Sequence, residues 1–123
     1  MIFFQHIQFD GTANSIAYDD GLKSTESEKK RCLAVHVELE KYDGTDDDVQ
    51  VQGYHERSKV FDIPEKMFNT ELKTATVEVA YVKKLSRIPV ELDIPVGEIF
   101  KLAIKCASVA VDIRGMYEYE IIT

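Results

Sequence analysis

RCLAVHVELEKY, residues 31–42, is the segment from which the fold class of this 123-residue chain is most easily read. Its apolar residues recur at every second position, as Leu33, Val35, Val37 and Leu39. Polar residues alternate with them in its second half, as His36, Glu38 and Glu40. A period of two places the two sets on opposite faces of a β-strand. The segment therefore predicts a strand with one face against a core and the other toward water.

Shorter segments of similar character flank this strand on both sides. They are residues 2–9, 15–18, 49–54 with 59–63 as its continuation after a bend, 74–82, 88–94, 109–113 and 116–122. Turn signals separate several of them, namely Asp10-Gly11, Asp20-Gly21, Asp43-Gly44 and Arg114-Gly115. Residues 15–18 are predicted to return as a hairpin strand after Asp10-Gly11, and 109–113 with 116–122 to form a final hairpin across Arg114-Gly115. Asp-Gly suits a hairpin turn because glycine adopts positive φ freely and aspartate tolerates it. About seven to eight strands at this spacing predict a mainly β chain, an antiparallel β-sandwich or barrel that forms a single domain over residues 1–123.

Two segments also fit a helix. Proline begins the segment 64–72, and Met67, Phe68 and Leu72 follow at helical spacing, so we expect a short helix there. Residues 95–107 carry a helical stripe, yet Phe100, Leu102, Ile104 and Cys106 in the same segment alternate like a strand. Periodicity does not decide between the two structures, so 95–107 stays open as a second helix or a strand.

The charge of the chain excludes several classes of partner. It carries 15 basic and 22 acidic residues, a net charge of −7. A nucleic-acid-binding protein needs a basic face that neutralises phosphates, and an anionic membrane surface repels an acidic chain. No segment approaches the roughly 20 apolar residues of a membrane span. We therefore expect no nucleic-acid partner and no membrane partner.

The cysteines and the first residues indicate where the protein resides. Cys32 and Cys106 lie in apolar, alternating segments, which favours buried free thiols over a disulfide scaffold. The first residues, MIFFQH, lack the positive region and the long apolar run of a classical signal peptide. We expect a cytoplasmic protein, or a component of a virion if a phage encodes it.

No catalytic motif stands out in the sequence. It lacks the glycine-rich phosphate loops, the nucleophile elbow, the His-Glu-x-x-His helix and the paired cysteines of structural zinc. We expect no cofactor and no enzymatic activity. An enzyme with an unrecognised site is the third alternative for the function.

The sequence contains two hypothetical metal sites. The acidic segment Asp43–Asp48 is a calcium candidate through Asp43, Asp46 and Asp48, although it lacks the EF-hand pattern. A solvated hairpin tip explains the same residues. On the 31–42 strand, Cys32, His36, Glu38 and Glu40 are predicted to share a face, where His55 or His6 would complete a transition-metal site.

The first strand suggests a binding role. It is apolar and aromatic, and Ile2, Phe4 and His6 are our candidate residues for an edge that pairs with a neighbour's sheet. The strand 116–122 is a second candidate edge. We therefore expect a structural or protein-binding module that acts on a protein partner or a homo-oligomer, such as a decoration or head-fibre subunit of a phage particle. The alternative is a calcium- or carbohydrate-binding β-sandwich, with sugar platforms at Tyr42, Tyr54, Tyr117 or Tyr119.

Overall fold

The computed structural model of the chain describes residues 1–42, 49–64, 67, 69–73, 79–82, 87–107 and 110–122. In these ranges the backbone forms eleven strands. They are β1 (Ile2–Asp10), β2 (Ile16–Tyr18), β3 (Leu22–Lys23), β4 (Lys30–Tyr42), β5 (Gln50–His55), β6 (Ser58–Pro64), β7 (Asn69–Lys73), β8 (Val79–Val82), β9 (Arg87–Asp93), β10 (Ile99–Lys105) and β11 (Asp112–Ile121). The number exceeds the prediction partly because β3, which has only two residues, and β7 lie outside the predicted strands.

The strands form two sheets that enclose one core, so the fold is a β-sandwich and not a closed barrel. Sheet A has six strands in the order β1-β11-β4-β7-β8, with β9 also paired to β4. Sheet B has five, in the order β2-β10-β5-β6, with β3 also paired to β10. The pairing is antiparallel throughout the described strands except between β4 and β7, which run parallel. The predicted class, mainly β with antiparallel sheets, is confirmed.

Strand β4 contains a bulge at Leu33. Its pairing passes from Cys32 directly to Ala34 against both of its neighbours, β11 and β9. From residue 35 onward the predicted face alternation holds, because Val35, Val37 and Leu39 are buried. Before the bulge the alternation is shifted by one residue, so Cys32 is buried and Leu33 is partly exposed. The prediction that Cys32 shares an outer face with His36 is therefore wrong.

The core lies between the inner faces of the two sheets. Tyr117 of β11 and Phe100 of β10 are its largest fully buried side chains, and their ring centroids stand 6.1 Å apart in an edge-to-face arrangement. Burial of one large apolar side chain stabilises a fold by ~1.5–3 kcal/mol. The alternating Phe100, Leu102 and Ile104 of β10 are all fully buried, and they face this core from sheet B.

A polar contact joins the two sheets through the core. The Tyr117 hydroxyl of sheet A accepts a hydrogen bond from the Leu102 amide of sheet B at 2.9 Å. The same hydroxyl donates to Oδ2 of Asp19 at 2.8 Å, and this oxygen also accepts the Gly21 amide at 3.0 Å. The buried tyrosine is thus fully bonded, as a polar group in a core must be.

The helix predicted over 64–72 is wrong, and the open choice at 95–107 is decided in favour of a strand. Residues 99–105 of the segment 95–107 form β10, since their alternating apolar side chains fill the core from a sheet. In the segment 64–72, Pro64 ends β6 and residues 69–72 belong to β7, so the described residues include no helix there beyond a single 3₁₀ position at Met67. Nor does any helix in the described part of the chain have the length and apolarity to cross a membrane.

Two hairpin predictions are also wrong. β1 and β2 do not pair across Asp10-Gly11, because β1 pairs with β11 in sheet A and β2 pairs with β10 in sheet B. Arg114-Gly115 is not a turn, since β11 runs through it without a break. Gly115 is needed there for another reason: a Cβ at this position would overlap the carbonyl oxygen of His36 on β4. The Asp43-Gly44 turn lies outside the described residues.

Candidate binding edge at the first strand

Strand β1 lies at the edge of sheet A. It pairs with β11 along its whole length, from Ile2 opposite Glu120 to Asp10 opposite Asp112, without a shift in register. In the described part of the chain no second strand pairs with it. The prediction that 116–122 forms another edge is wrong, because β11 lies between β1 and β4.

One hydrogen bond fixes which backbone groups of β1 remain free. The Gly11 amide donates to the Val111 carbonyl at 3.1 Å, so this pair continues the ladder as a hydrogen-bonded pair. In an antiparallel ladder such pairs alternate with pairs whose N–H and C=O groups point away from the partner strand. The odd-numbered residues of β1 therefore bond to β11. The residues that present N–H and C=O groups to the free edge are Ile2, Phe4, His6, Gln8 and Asp10.

The same residues carry the outward side chains of β1. Ile2 is 52% exposed and Phe4 is 58% exposed, which is high for large apolar residues in a strand. Met116 of β11, directly opposite His6, adds a third exposed apolar side chain to this outer face. We define the binding edge as the free side of β1 together with the side chains of Ile2, Phe4 and His6.

Polar residues of β11, β4 and β9 support the outer face behind this edge. Glu118 Oε1 lies 2.9 Å from Nε2 of His36, and Glu118 Oε2 accepts a hydrogen bond from Arg87 at 3.2 Å. The Phe4 ring lies edge-on to the His36 imidazole, with 6.3 Å between their centroids. The hydrogen bonds from His36 and Arg87 lower the pKa of Glu118. The network joins three strands and gives Phe4 a fixed imidazole to pack against.

The inward side chains of β1 anchor the strand. Ile7 is fully buried in the core. Phe3 stacks on Tyr119 of β11, with 5.6 Å between ring centroids. Gln5 reaches across to sheet B, where its amide donates to the Gly21 carbonyl at 2.9 Å. β1 is thus held along one face. Among the described residues, none pairs with its free edge, and its outer face is exposed.

The other edge strands carry devices that discourage pairing. β6 contains Lys59 and Pro64, and its register shifts around Val60. β9 contains Pro89, and its pairing with β4 is interrupted by the bulge. β2 and β3 have three and two residues, and the described part of β8 has four. Charges, prolines, bulges and short length are the means by which proteins protect a sheet edge. β1 has none of these protections over nine residues except the terminal charge of Asp10.

The predicted metal sites are not assembled by the described residues. Asp43, Asp46 and Asp48 lie outside those residues, so the calcium hypothesis stays a prediction. His36 bonds to Glu118 on the neighbouring strand, and His55 belongs to sheet B, where its Nε2 lies 2.9 Å from Oε1 of Glu98. No group of three or more histidine, cysteine or acidic side chains in the described ranges is arranged to hold a metal ion.

The tyrosines proposed as sugar platforms are mostly engaged elsewhere. Tyr117 is fully buried, and Tyr119 stacks on Phe3. The Tyr54 hydroxyl donates to Oε1 of Gln52 at 2.7 Å, and this amide in turn donates to Asp62 at 3.2 Å. The outward polar groups beside Tyr54 are therefore bonded to one another and not directed to a ligand. The side chain of Tyr42 lies outside the description.

Sequence reasoning missed the residues that support the binding edge. The sequence pattern places Met116 and Glu118 on a candidate edge strand, and nothing in it singles out Arg87. Along β11 the polar or outward residues Met116, Glu118 and Glu120 alternate with Tyr117 and Tyr119 in the sequence. Their position beside Phe4 depends on the β1–β11 register, which no local pattern contains.

No protein-family model matches the chain, and neither the curated proteins nor the solved structures yield a match.

Proposed function

We propose that this chain is a non-enzymatic protein-binding or assembly module, and that the free edge of β1 extends its sheet with a strand from a partner. The observation that carries the proposal is a nine-residue edge strand with unbroken register and without lysine, proline or a bulge. Such an edge normally pairs with another strand, in a partner or in an aggregate.

Strand addition uses the groups that β1 presents. Main-chain hydrogen bonds to the free N–H and C=O groups supply affinity, and alternate side chains supply specificity. On β1 both come from the same residues, of which Ile2 and Phe4 add exposed apolar surface. Assembly into a larger particle, such as the phage accessory subunit expected from the sequence, is one use of this edge.

A proline scan tests the proposal, since proline lacks the N–H group that strand addition needs. His6→Pro removes a free N–H at the edge, a position where strands tolerate proline. Gln5→Pro removes an N–H that bonds to β11, so this variant should lose folding stability and shows the effect of a proline that breaks the internal ladder. Peptides selected from a random library on the wild-type protein are the binding probe. We expect His6→Pro to lose most of this binding while it keeps a cooperative thermal transition.

Val60→Ala is the matched control, because Val60 is an exposed hydrophobic residue of sheet B. It should bind the selected peptides as the wild type does. Equal peptide binding by wild type and folded His6→Pro would overturn the proposal, as would a library that yields no binder to a wild type that stays monomeric.

A further inference from the structure

We infer that the partner strand of β1 is β1 of a second copy of this chain, paired antiparallel across a two-fold axis. The inference rests on the proposed function and names the partner for the same edge. Two copies related by a two-fold axis present the same strand to each other in opposite directions, which is what an antiparallel ladder requires.

The low charge of β1 is compatible with a second acidic copy at this edge. The chain carries a net charge of −7, so two copies repel each other over most approaches. Apart from His6, Asp10 is the only residue of β1 with an ionisable side chain, and it lies at the end of the strand. The binding edge is therefore a place where two acidic copies can meet with little repulsion.

The free backbone groups define a self-complementary register. The even-numbered residues of β1 point their N–H and C=O groups outward, so pairs between two copies must join even-numbered residues. All five such residues find partners when His6 lies on the two-fold axis. Phe4 then faces Gln8 of the second copy, and Ile2 faces Asp10 of the second copy. The two Asp10 side chains stand at opposite ends, about 26 Å apart along the strand direction.

This register also gives the exposed apolar side chains of β1 new neighbours. The outer faces of the two sheets A become one surface, on which Ile2 and Phe4 each gain a neighbour across the new pair of strands. Pairing consumes the unprotected edge of both copies, and the contact closes on itself. We therefore expect a discrete dimer and not a fibre.

Cysteine cross-linking tests the register, because Cys32 and Cys106 are buried and compete little. His6→Cys places two thiols in facing positions with Cα atoms about 5.5 Å apart, within the range of a disulfide. Gln8→Cys is the matched control, since its two copies stand four residues apart along the strands, about 13 Å. Oxidised glutathione should convert folded His6→Cys to a covalent dimer and leave Gln8→Cys without a covalent cross-link. Failure of His6→Cys to cross-link, or equal cross-linking of both variants, would overturn this pairing.

Sedimentation equilibrium of the wild type supplies the second measurement. We expect a concentration-dependent dimer whose dissociation constant rises about tenfold or more in His6→Pro, because each copy loses one edge hydrogen bond. A wild type that stays monomeric at high concentration overturns the inference. In that case the selected peptides decide separately: if they still bind and depend on His6, the binding edge stands and its partner is another protein.

Discussion

The Tyr117 hydroxyl donates to Oδ2 of Asp19 at 2.8 Å and ties a central strand of sheet A to the segment that follows β2 in sheet B. Burial, followed by the negative charge of Asp19, raises the pKa of Tyr117, so the hydroxyl stays protonated and keeps donating. The hydroxyl oxygen of Tyr117 also accepts a hydrogen bond from the Leu102 amide, so this one side chain bonds to a backbone group and to a carboxylate.

Removal of this hydroxyl is expected to destabilise the protein. Tyr117→Phe leaves the buried Leu102 amide without its acceptor, which costs about 1–3 kcal/mol. Chemical denaturation measures the change in the free energy of unfolding. Tyr119→Phe is the control, because this half-buried ring stacks on Phe3, and its loss of a hydroxyl should change stability less. Equal effects of the two substitutions would contradict the role assigned to Tyr117.

Acid should weaken the network behind the binding edge. The folded-state pKa of Glu118 lies below its ordinary value because His36 and Arg87 donate hydrogen bonds to the carboxylate. A depressed folded pKa gives stability that is complete above the unfolded value, about 4.3, and is lost as the pH falls through the folded value. The stability difference between wild type and Glu118→Gln should therefore shrink as the pH falls below about 4.3. Urea denaturation at a series of pH values measures it, and a difference that stays constant down to pH 2.5 would refute the prediction.

The two cysteines should be unreactive in the folded protein. Burial raises the pKa of Cys32 to about 12 and also raises the pKa of Cys106, so little thiolate is present at neutral pH. We expect a chromogenic disulfide reagent to label both thiols only as fast as the protein opens or unfolds. Gln8→Cys supplies an exposed thiol for comparison in the same assay. Rapid labelling of either thiol in the native wild type would contradict this prediction.

Two glycines should differ in their response to alanine. A Cβ on Gly115 meets the backbone of His36 in the middle of sheet A, which cannot move without disturbing β4. The three atoms nearest to a Cβ on Gly53 all belong to the ring of Phe61, and a side chain can shift more easily than a backbone. Gly115→Ala should cost about 1–3 kcal/mol or more, and Gly53→Ala less. Thermal melts of the two variants compare these losses of stability. A larger loss for Gly53→Ala would mean that β11 has room to shift.

The fold class was predictable from local alternation, but the pairing of strands was not. The period of two in residues 35–39 survives in the structure because it reflects a single buried face. The bulge at Leu33 has no local signal, since it arises where β4 meets β9 and β11 together. Residues 95–107 show the same limit, because both a helix and a strand can bury Phe100, and only the neighbouring strands β5 and β2 select the strand.

The binding edge was predictable in part. The aromatic character of residues 2–9, which contain no Asp, Glu, Lys or Arg, indicated an unusual strand, and β1 does lie at a sheet edge. That it binds a partner stays a prediction. The direction of its free N–H groups follows from the Gly11–Val111 bond, a contact between residues one hundred positions apart in the chain. Long-range pairing of this kind leaves no trace in the composition of either strand.

The Leu102 amide has a further consequence for the way the sandwich opens. In the β2–β10 register Leu102 stands opposite Asp19, and the Asp19 amide donates to the Leu102 carbonyl at 2.9 Å. The return bond, which a regular ladder would make to Asp19, goes instead to Tyr117 of the other sheet. Exchange of the Leu102 amide hydrogen with solvent deuterium thus requires the two sheets to separate at this point. Unlike its neighbours in β10, this amide reports on the distance between layers and not on the fraying of a strand.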